Sequence, residues 1–324
     1  MTDFEIHRHL DAHALADIRE LVDTTTLLEG HAPIGEHKMA HLAVGAADWD
    51  GILAYAHSGD LIGYVHLRWN PGPDDPRLAV EMVVHPEHRD EGVQAALLES
   101  TRRLVARAGG GRMFLWVHRV EEPRETLAFE MGFDIQRELA YMVRDAKGVP
   151  EELPLPEGVT IRPYRPGEDD EAFLEVNNAA FVGHPENGAW TAEDLAERRR
   201  LDWFDPDGLF MAFRGDEPLG FHWTKWHEHQ GNGGEPAHGP QGEVYVLAVH
   251  PRAQGMGLGR ILLRHGMRHL ATRSDHLVLY VDCASAGPVA LYSSEGFETR
   301  YREVCFSDDI PPAKATSRSL LRPA

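Results

Sequence analysis

Cysteine is nearly absent from this sequence: Cys283 and Cys305 are the two in 324 residues. Neither sits in a C-x-x-C or metal-ligand spacing. A disulfide scaffold is therefore excluded, and both thiols are expected to be small buried apolar groups in a reducing compartment. No run of 18 apolar residues occurs, which excludes a helical membrane span, and MTDFEIHRHL lacks the basic segment and apolar run of a secretory leader. Basic charge is also scarce, with 32 Lys plus Arg against 52 Asp plus Glu and a formal charge of -20. Nonspecific attraction to nucleic acid or anionic lipid is disfavoured by that balance. The expectation is a cytoplasmic, monomeric protein that acts on a small molecule, with no nucleic-acid or membrane partner.

What remains is ordinary globular material, 42% hydrophobic and 26% charged, long enough for about two domains. Strand-like and helix-like stretches alternate, giving a mixed α/β class. They include a helix from Asp11 to Leu28 with Asp11 as its cap, a short helix from Glu36 to Val44, and a helix from Pro123 to Met131. The plan is then repeated. His85-Pro86 and His250-Pro251 each follow an apolar strand and lie 165 residues apart, as do Gly92 and Gly257. Gly132-Phe133 and Gly296-Phe297 repeat at 164. Two tandem domains follow, 1–147 and 159–324, joined by 148–158 (GVPEELPLPEG), whose three prolines predict an extended connector. The longer stretch Trp226 to Gly242 reads as a solvated loop, and its His227, His229 and His238 lack a carboxylate at ligand spacing, so no metal is expected.

The sharpest chemical signal is in the second copy. Val244 to Val249 reads as a strand, and Gln254-Gly255-Met256-Gly257-Leu258-Gly259 leads into an amphipathic helix. Helix N-termini carry unpaired N–H groups and partial positive charge, so a glycine-rich turn there lets backbone amides reach an anion. The turn has neither the full dinucleotide spacing nor the Gly-Lys-Ser/Thr of a P-loop. In the first copy the same place reads Arg89-Asp90-Glu91-Gly92-Val93-Gln94, with one glycine left and two carboxylates added. That cradle is expected to hold an anion weakly or only to keep the fold.

The Q-x-x-G-x-G pattern resembles the GCN5-related N-acetyltransferases (GNAT), whose pyrophosphate loop binds coenzyme A. The resemblance implies two GNAT-like domains with acetyl-CoA as cosubstrate, held by Gln254 to Gly259 and Arg260, by the helix start Ser285, Ala286, Gly287, Pro288, Val289 and Ala290, and by the strand end Leu247, Ala248 and Val249. A backbone N–H at a strand bulge in Leu247 to Val249 would polarise the thioester carbonyl. Met82, Val83 and Val84 are the equivalent strand end in the first copy. Many relatives have Asn where Ser285 stands. Amine acetylation also needs a base and an acid. Glu243 is the candidate base, although a Glu at the start of a strand is commonly a solvated carboxylate, and its first-copy counterpart at the same offset is Leu78. Tyr292 is the candidate acid, titrating near the ordinary tyrosine value, although it could equally be a packing aromatic; its counterpart is Ala128. Cys283 is read as an inert core thiol.

Three further stretches, VNNAAFVGHPENGAW, GFHWTKWH and GEVYVLAVHP, look like those of the actinobacterial mycothiol synthase family within that superfamily. That resemblance implies acetylation of the cysteinyl amine of a cysteine-glucosamine-inositol precursor, with Glu36, Glu186, Lys225, Glu243 and Tyr280 at the acceptor site. Another small amine as acceptor, or a non-catalytic acyl-CoA sensor, are the competing readings.

Overall fold

The computed structural model describes residues 3–7, 11–29, 33–34, 49–70, 77–183, 188–229 and 238–313. The expected helix Glu36 to Val44 lies outside them. Two compact units emerge, the first built mainly from Met1–Glu138 and Arg302–Ala324, the second from Leu139–Gln230 and Ala237–Tyr301. The expected connector 148–158 lies within the second unit, and 149–156 form neither helix nor strand.

The first unit opens with β1 (Asp3–His7) and α1 (Ala12–Glu29). The start of α1 is capped as expected, the Ala14 N–H donating to Asp11 Oδ1 at 2.9 Å. Next come β2 (Trp49–Tyr55), β3 (Leu61–Asn70), β4 (Arg77–Val84), α2 (Val93–Arg107) and β5 (Gly111–Val120). The helix expected over Pro123 to Met131 is broken into a 3-10 turn, Pro123–Glu125, and α3 (Leu127–Glu130). Thr126 causes the break: it stays extended and caps α3, accepting from the Phe129 N–H. The sheet runs β1-β2-β3-β4-β5-β12, where β12 is Glu298–Ile310, so its last strand comes from the far end of the sequence.

The second unit mirrors this. Its strands are β6 (Asp134–Asp145), β7 (Val159–Pro163), β8 (Leu209–Arg214), β9 (Glu217–His229), β10 (His238–Val249) and β11 (His276–Asp282). The sheet order is β6-β11-β10-β9-β8-β7, and β6 comes from the first half of the sequence. The helices are α4 (Asp170–Ala180), α5 (Ala192–Arg198), α6 (Leu258–Ala271) and α7 (Ala286–Ser294). In the stretch read as a loop, Trp226 to Gly242, the described residues are strand: β9 continues to His229 and β10 starts at His238, with His229 paired to His238. Trp226, which donates its indole N–H to Arg273 O at 2.8 Å, anchors that extension.

Helix α6 positions the cradle. Its buried Leu258, Ile261, Leu262, Leu263, Met267 and Leu270 form one stripe. Each such side chain contributes roughly 1.5–3 kcal/mol on burial. Part of the stripe packs with Val244, Leu277, Leu279 and Val281 of β10 and β11, and that same cluster takes in Tyr292 of α7. Alternation along the strands then sends Glu243 and Tyr280 to the opposite face.

Candidate active site

Beyond Glu243 the two central strands part. β10 pairs with β11 only at Gln241–His276, Gly242–Leu277 and Glu243–Val278. From Val244 onward the β10 edge facing β11 has no ladder, leaving backbone groups open to a ligand. A register shift follows between Val244 and Val246, at Tyr245. The bulge expected within Leu247 to Val249 thus falls two residues earlier. The extra residue also corrects the alignment of the copies. Gln241 pairs with His276 as Arg77 pairs with Arg112, which makes Ala79, not Leu78, the register counterpart of Glu243.

The parted strands end in a cavity of about 480 Å³ lined by cradle residues Gln254, Gly255, Gly257, Leu258, Gly259 and Arg260, by Leu247 and Val249, and by Gly287, Pro288, Leu291 and Tyr292 of α7. Residues expected from three separate stretches are therefore brought to one place. Gly255 has φ +80 and Gly257 φ +76, the left-handed region that disfavours side chains. A Cβ at either would meet nothing within 4 Å, so the cradle is open where a diphosphate would approach. Gln254 is extended (φ -66, ψ 154), lifting the loop away before Gly257 turns the chain into α6. Arg260 lines the cavity but directs Nη1 to Glu295, a buried carboxylate that also accepts from Arg264 Nε at 2.9 Å. Ser285 caps α7 without a side-chain hydrogen bond, its carbonyl accepting from the Val289 N–H at 3.1 Å.

Tyr292 is buried, and burial pushes its phenol up to about 12. The expectation of an ordinary tyrosine value is corrected: desolvation disfavours the phenolate, so the group stays a protonated donor at neutral pH. Glu243 lies on the other sheet face, 14% exposed, with Lys225 Nζ at 3.7 Å and His227 Nε2 at 3.5 Å from its Oε2. Burial raises its carboxyl above the ordinary value, and the charge of Lys225 pulls it partly back. A carboxylate with raised basicity is suited to take a proton. Lys225 is itself held over Trp203, 5.2 Å from the ring centroid. His227 was missed by sequence reasoning, which read it as part of a solvated loop. Its signal was the i, i+2 alternation with Lys225 on one strand.

Tyr280 is exposed on β11. Glu36 and Glu186 lie outside the described residues. Cys283 is exposed, contrary to its reading as a core thiol, whereas Cys305 is buried. Cys283 follows the last residue of β11, past the buried alternation of that strand. Among the described residues no three His, Cys, Asp or Glu side chains are placed to hold a metal, and no helix is long and apolar enough to cross a membrane.

The first unit has its own cavity, about 310 Å³, lined in part by Met82, Arg89, Gln94, Trp116, His118 and Glu29. Of the first-copy strand end, Met82 reaches that lining, while Val83 and Val84 are buried in separate core clusters. Arg89 stands where Gln254 stands in the second copy, and it donates Nη2 to Glu29 at 2.9 Å. A carboxylate from the end of α1 is therefore already seated in this cradle. Here β4 and β5 pair for five residues, through Glu81–Trp116. A bulge on β5, with Arg119 at φ 52, faces Glu303 of β12. His118 beside it hydrogen-bonds Glu303 and lies 3.8 Å from Glu81. Burial alone would lower that imidazole, but the two carboxylates overcome it and raise it to about 9.

Comparisons with known proteins agree with this geometry. The family described as Acetyltransferase (GNAT) family matches residues 17–133 and 171–297, one match in each copy. A mycothiol acetyltransferase of Acidothermus cellulolyticus is 40% identical over 311 residues, 93% of both chains. Another, from Mycobacterium marinum, is 37% identical and covers 97% of this chain and 99% of its own. Among solved structures, a GCN5-related N-acetyltransferase from Sphaerobacter thermophilus superposes with TM-score 0.67 at 20% identity, covering 95% and 96% of the two chains. A tandem GNAT protein from the clavulanic acid biosynthesis pathway gives 0.66 at 17%, covering 96% and 100%. At those identities the structures speak to the fold.

Proposed function

Because the chain belongs to the acetyltransferase (GNAT) family and, within it, to the mycothiol acetyltransferases, we propose that its second copy, 159–324, transfers acetyl from acetyl-CoA to the cysteinyl amine of the cysteine-glucosamine-inositol precursor, giving mycothiol and CoA. The protein is an N-acetyltransferase. The first copy, 1–147, serves as its degenerate partner, joined by 148–158. The observation that carries the reading is the cavity itself, where the glycine cradle, the open β10 edge and Tyr292 converge.

The cosubstrate supplies an acetyl group activated as a thioester. The amides at Gly255 to Gly259 hold its diphosphate, aided by the N-terminal dipole of α6. Leu247 to Val249 and the α7 start, Ser285 to Ala290, flank the rest. Open N–H groups of β10 beyond the bulge polarise the carbonyl as its oxygen gains charge. The Glu243 carboxylate takes the proton from the ammonium, directly or through one water, and the Tyr292 hydroxyl gives a proton to the departing thiolate. Lys225, Glu186, Glu36 and Tyr280 complete the acceptor site, where carboxylates accept from sugar hydroxyls and the ammonium.

The test is mass spectrometry after the protein, acetyl-CoA and the cysteinyl-aminosugar are mixed. An acetylated product is expected. Cosubstrate binding without acetylated product would leave a sensor, and acetylation of an unrelated amine in preference would reassign the acceptor.

A further inference from the structure

Tyr280 stands 47% exposed on β11, between Leu279 at 0% and Val281 at 7%. Strand alternation explains the direction, since Leu277, Leu279 and Val281 face α6 and α7. It leaves unexplained why the outward position is a large aromatic, where a polar residue would suit a wetted face. Tyr280 also has company. Its register partner on β6 is Tyr141, with ring centroids 5.0 Å apart at 52°. Tyr141 in turn stacks on Tyr301 near the start of β12, at 4.5 Å and 13°. Tyrosines from three strands make a continuous row.

The row leads to the proton-transfer site. Glu243 is in register with Val278, two residues before Tyr280, and Lys225 is in register with Glu243. Lys225, Glu243 and Tyr280 therefore share one sheet face. From Glu243 to Tyr280 is one strand across and two residues along, about 8 Å. An amine separated from a ring by one amide-linked residue lies about 5 Å from the first ring atom and about 8 Å from the far side of the ring.

We propose that Tyr280, Tyr141 and Tyr301 form a stacking platform for the saturated, polyhydroxylated ring carried by the amine acceptor, with Tyr141 and Tyr301 as specificity residues. The proposal rests on the reading of Glu243 as the base. A saturated sugar or cyclitol ring presents a face of C–H groups and a rim of hydroxyls, and a tyrosine matches both with an apolar face and a hydroxyl tip. Trp203 and the Lys225 ammonium bound the other end of the same face, so the amine end meets charge and the ring end meets aromatic surface. The cosubstrate cavity is walled by α6 and α7, on the far side of the sheet.

The experiment compares Tyr141→Ala and Tyr301→Ala with wild type on two acceptors. One is the cysteinyl-aminosugar; the other is cysteinamide, which keeps the amine and thiol and lacks the ring. The ratio of kcat/KM between ring-bearing and ring-free acceptors is expected to fall about tenfold, equivalent to about 1.4 kcal/mol, and Tyr301→Trp is expected to hold it near wild type. Should an alanine variant fail to fold, Leu at the same position keeps bulk without an aromatic face and reads the same ratio. An equal loss on both acceptors, or no loss, overturns the platform. A raised KM for acetyl-CoA with an unchanged acceptor ratio overturns it as well, by assigning the row to the cosubstrate. Wild-type protein inert toward both acceptors is a different failure, that of the acetyl-transfer reading itself.

Discussion

The two cradles of this chain share a turn and differ in what the turn can hold. In both, a His-Pro step follows the strand, and the histidine Nδ1 accepts from the N–H two residues on, at 3.3 Å from Glu87 and 3.2 Å from Arg252. Both end on a glycine at φ 76 that opens a helix, Gly92 and Gly257. Between these fixed points the paths diverge. The first copy winds Pro86–Glu91 into a 3-10 helix, whereas the second stops winding at Ala253 and opens through Gln254 and Gly255. The shared glycine is therefore a requirement of the fold. Gly255 and Gly259 are found only in the second copy, and on the proposed reading they serve the ligand.

The same division runs through the strands. The first copy zips β4 to β5 two residue pairs further than β10 and β11, closing about 7 Å of the gap. Its register counterpart of Lys225 is Arg68, opposite Ala79, so the cation persists and the carboxylate is gone. The carboxylate, the gap and the open loop are absent together from the first copy.

Exchanging one residue between cradles breaks the comparison most severely. Gly255→Asp imports the first-copy residue, Asp90, to a backbone at φ +80 and adds like charge beside the diphosphate. Acetyl-CoA affinity, read by calorimetry, is expected to fall at least 100-fold, about 2.7 kcal/mol; an unchanged affinity would mean the cradle is not the anion site. Next in size, Glu243→Gln and Tyr292→Phe are each expected to lower kcat about 100-fold with little change in acetyl-CoA affinity. Wild-type turnover in either variant would remove that group as a proton carrier.

Local signals made the repeat, the cradle and most elements legible: periodicity, glycine placement and a recurring His-Pro step. Features set by pairing between distant strands were not legible. The bulge at Tyr245 depends on the β9 register, and without it the offset pointed to Leu78 instead of Ala79. Each unit takes one strand from the opposite half of the sequence, β12 beside β5 and β6 beside β11, which no local pattern specifies. His227 looked like loop because its neighbours are polar, yet β9 carries it back to Glu243.

A smaller effect separates the units by pH. In the first unit His118 is raised from 6.5 to about 9 by Glu303 and Glu81. A group whose folded value is raised stabilises fully below its unfolded value and loses that contribution as pH climbs through the folded one. About 2.6 kcal/mol is therefore expected to drain away between pH 6.5 and 9, seen as a falling Tm, and Glu303→Gln should flatten that slope. An identical slope in the variant would mean the pair does not govern alkaline stability. Smaller still, Gly92→Ala and Gly257→Ala are each expected to cost about 1–2 kcal/mol in unfolding free energy, because both hold φ 76. Equal costs support the division drawn between the cradles, and a cost at Gly257 alone would show that Gly92 is not needed for the turn.

The finest test concerns the cation that both copies keep. Burial raises the Glu243 carboxyl, and Lys225 at 3.7 Å opposes that rise. Lys225→Met leaves desolvation less opposed, so the carboxyl protonates at higher pH than in wild type. A base works only when deprotonated, so the acid limb of kcat/KM should move to higher pH, while the plateau falls by the acceptor contact that Lys225 also makes. A lysine that merely braces the strand over Trp203 would lower the plateau and leave the limb in place. The outcome thus decides whether the Lys225–Glu243 pair exists to tune a base, in which case Arg68 opposite Ala79 is what remains of the same device once its carboxylate was lost.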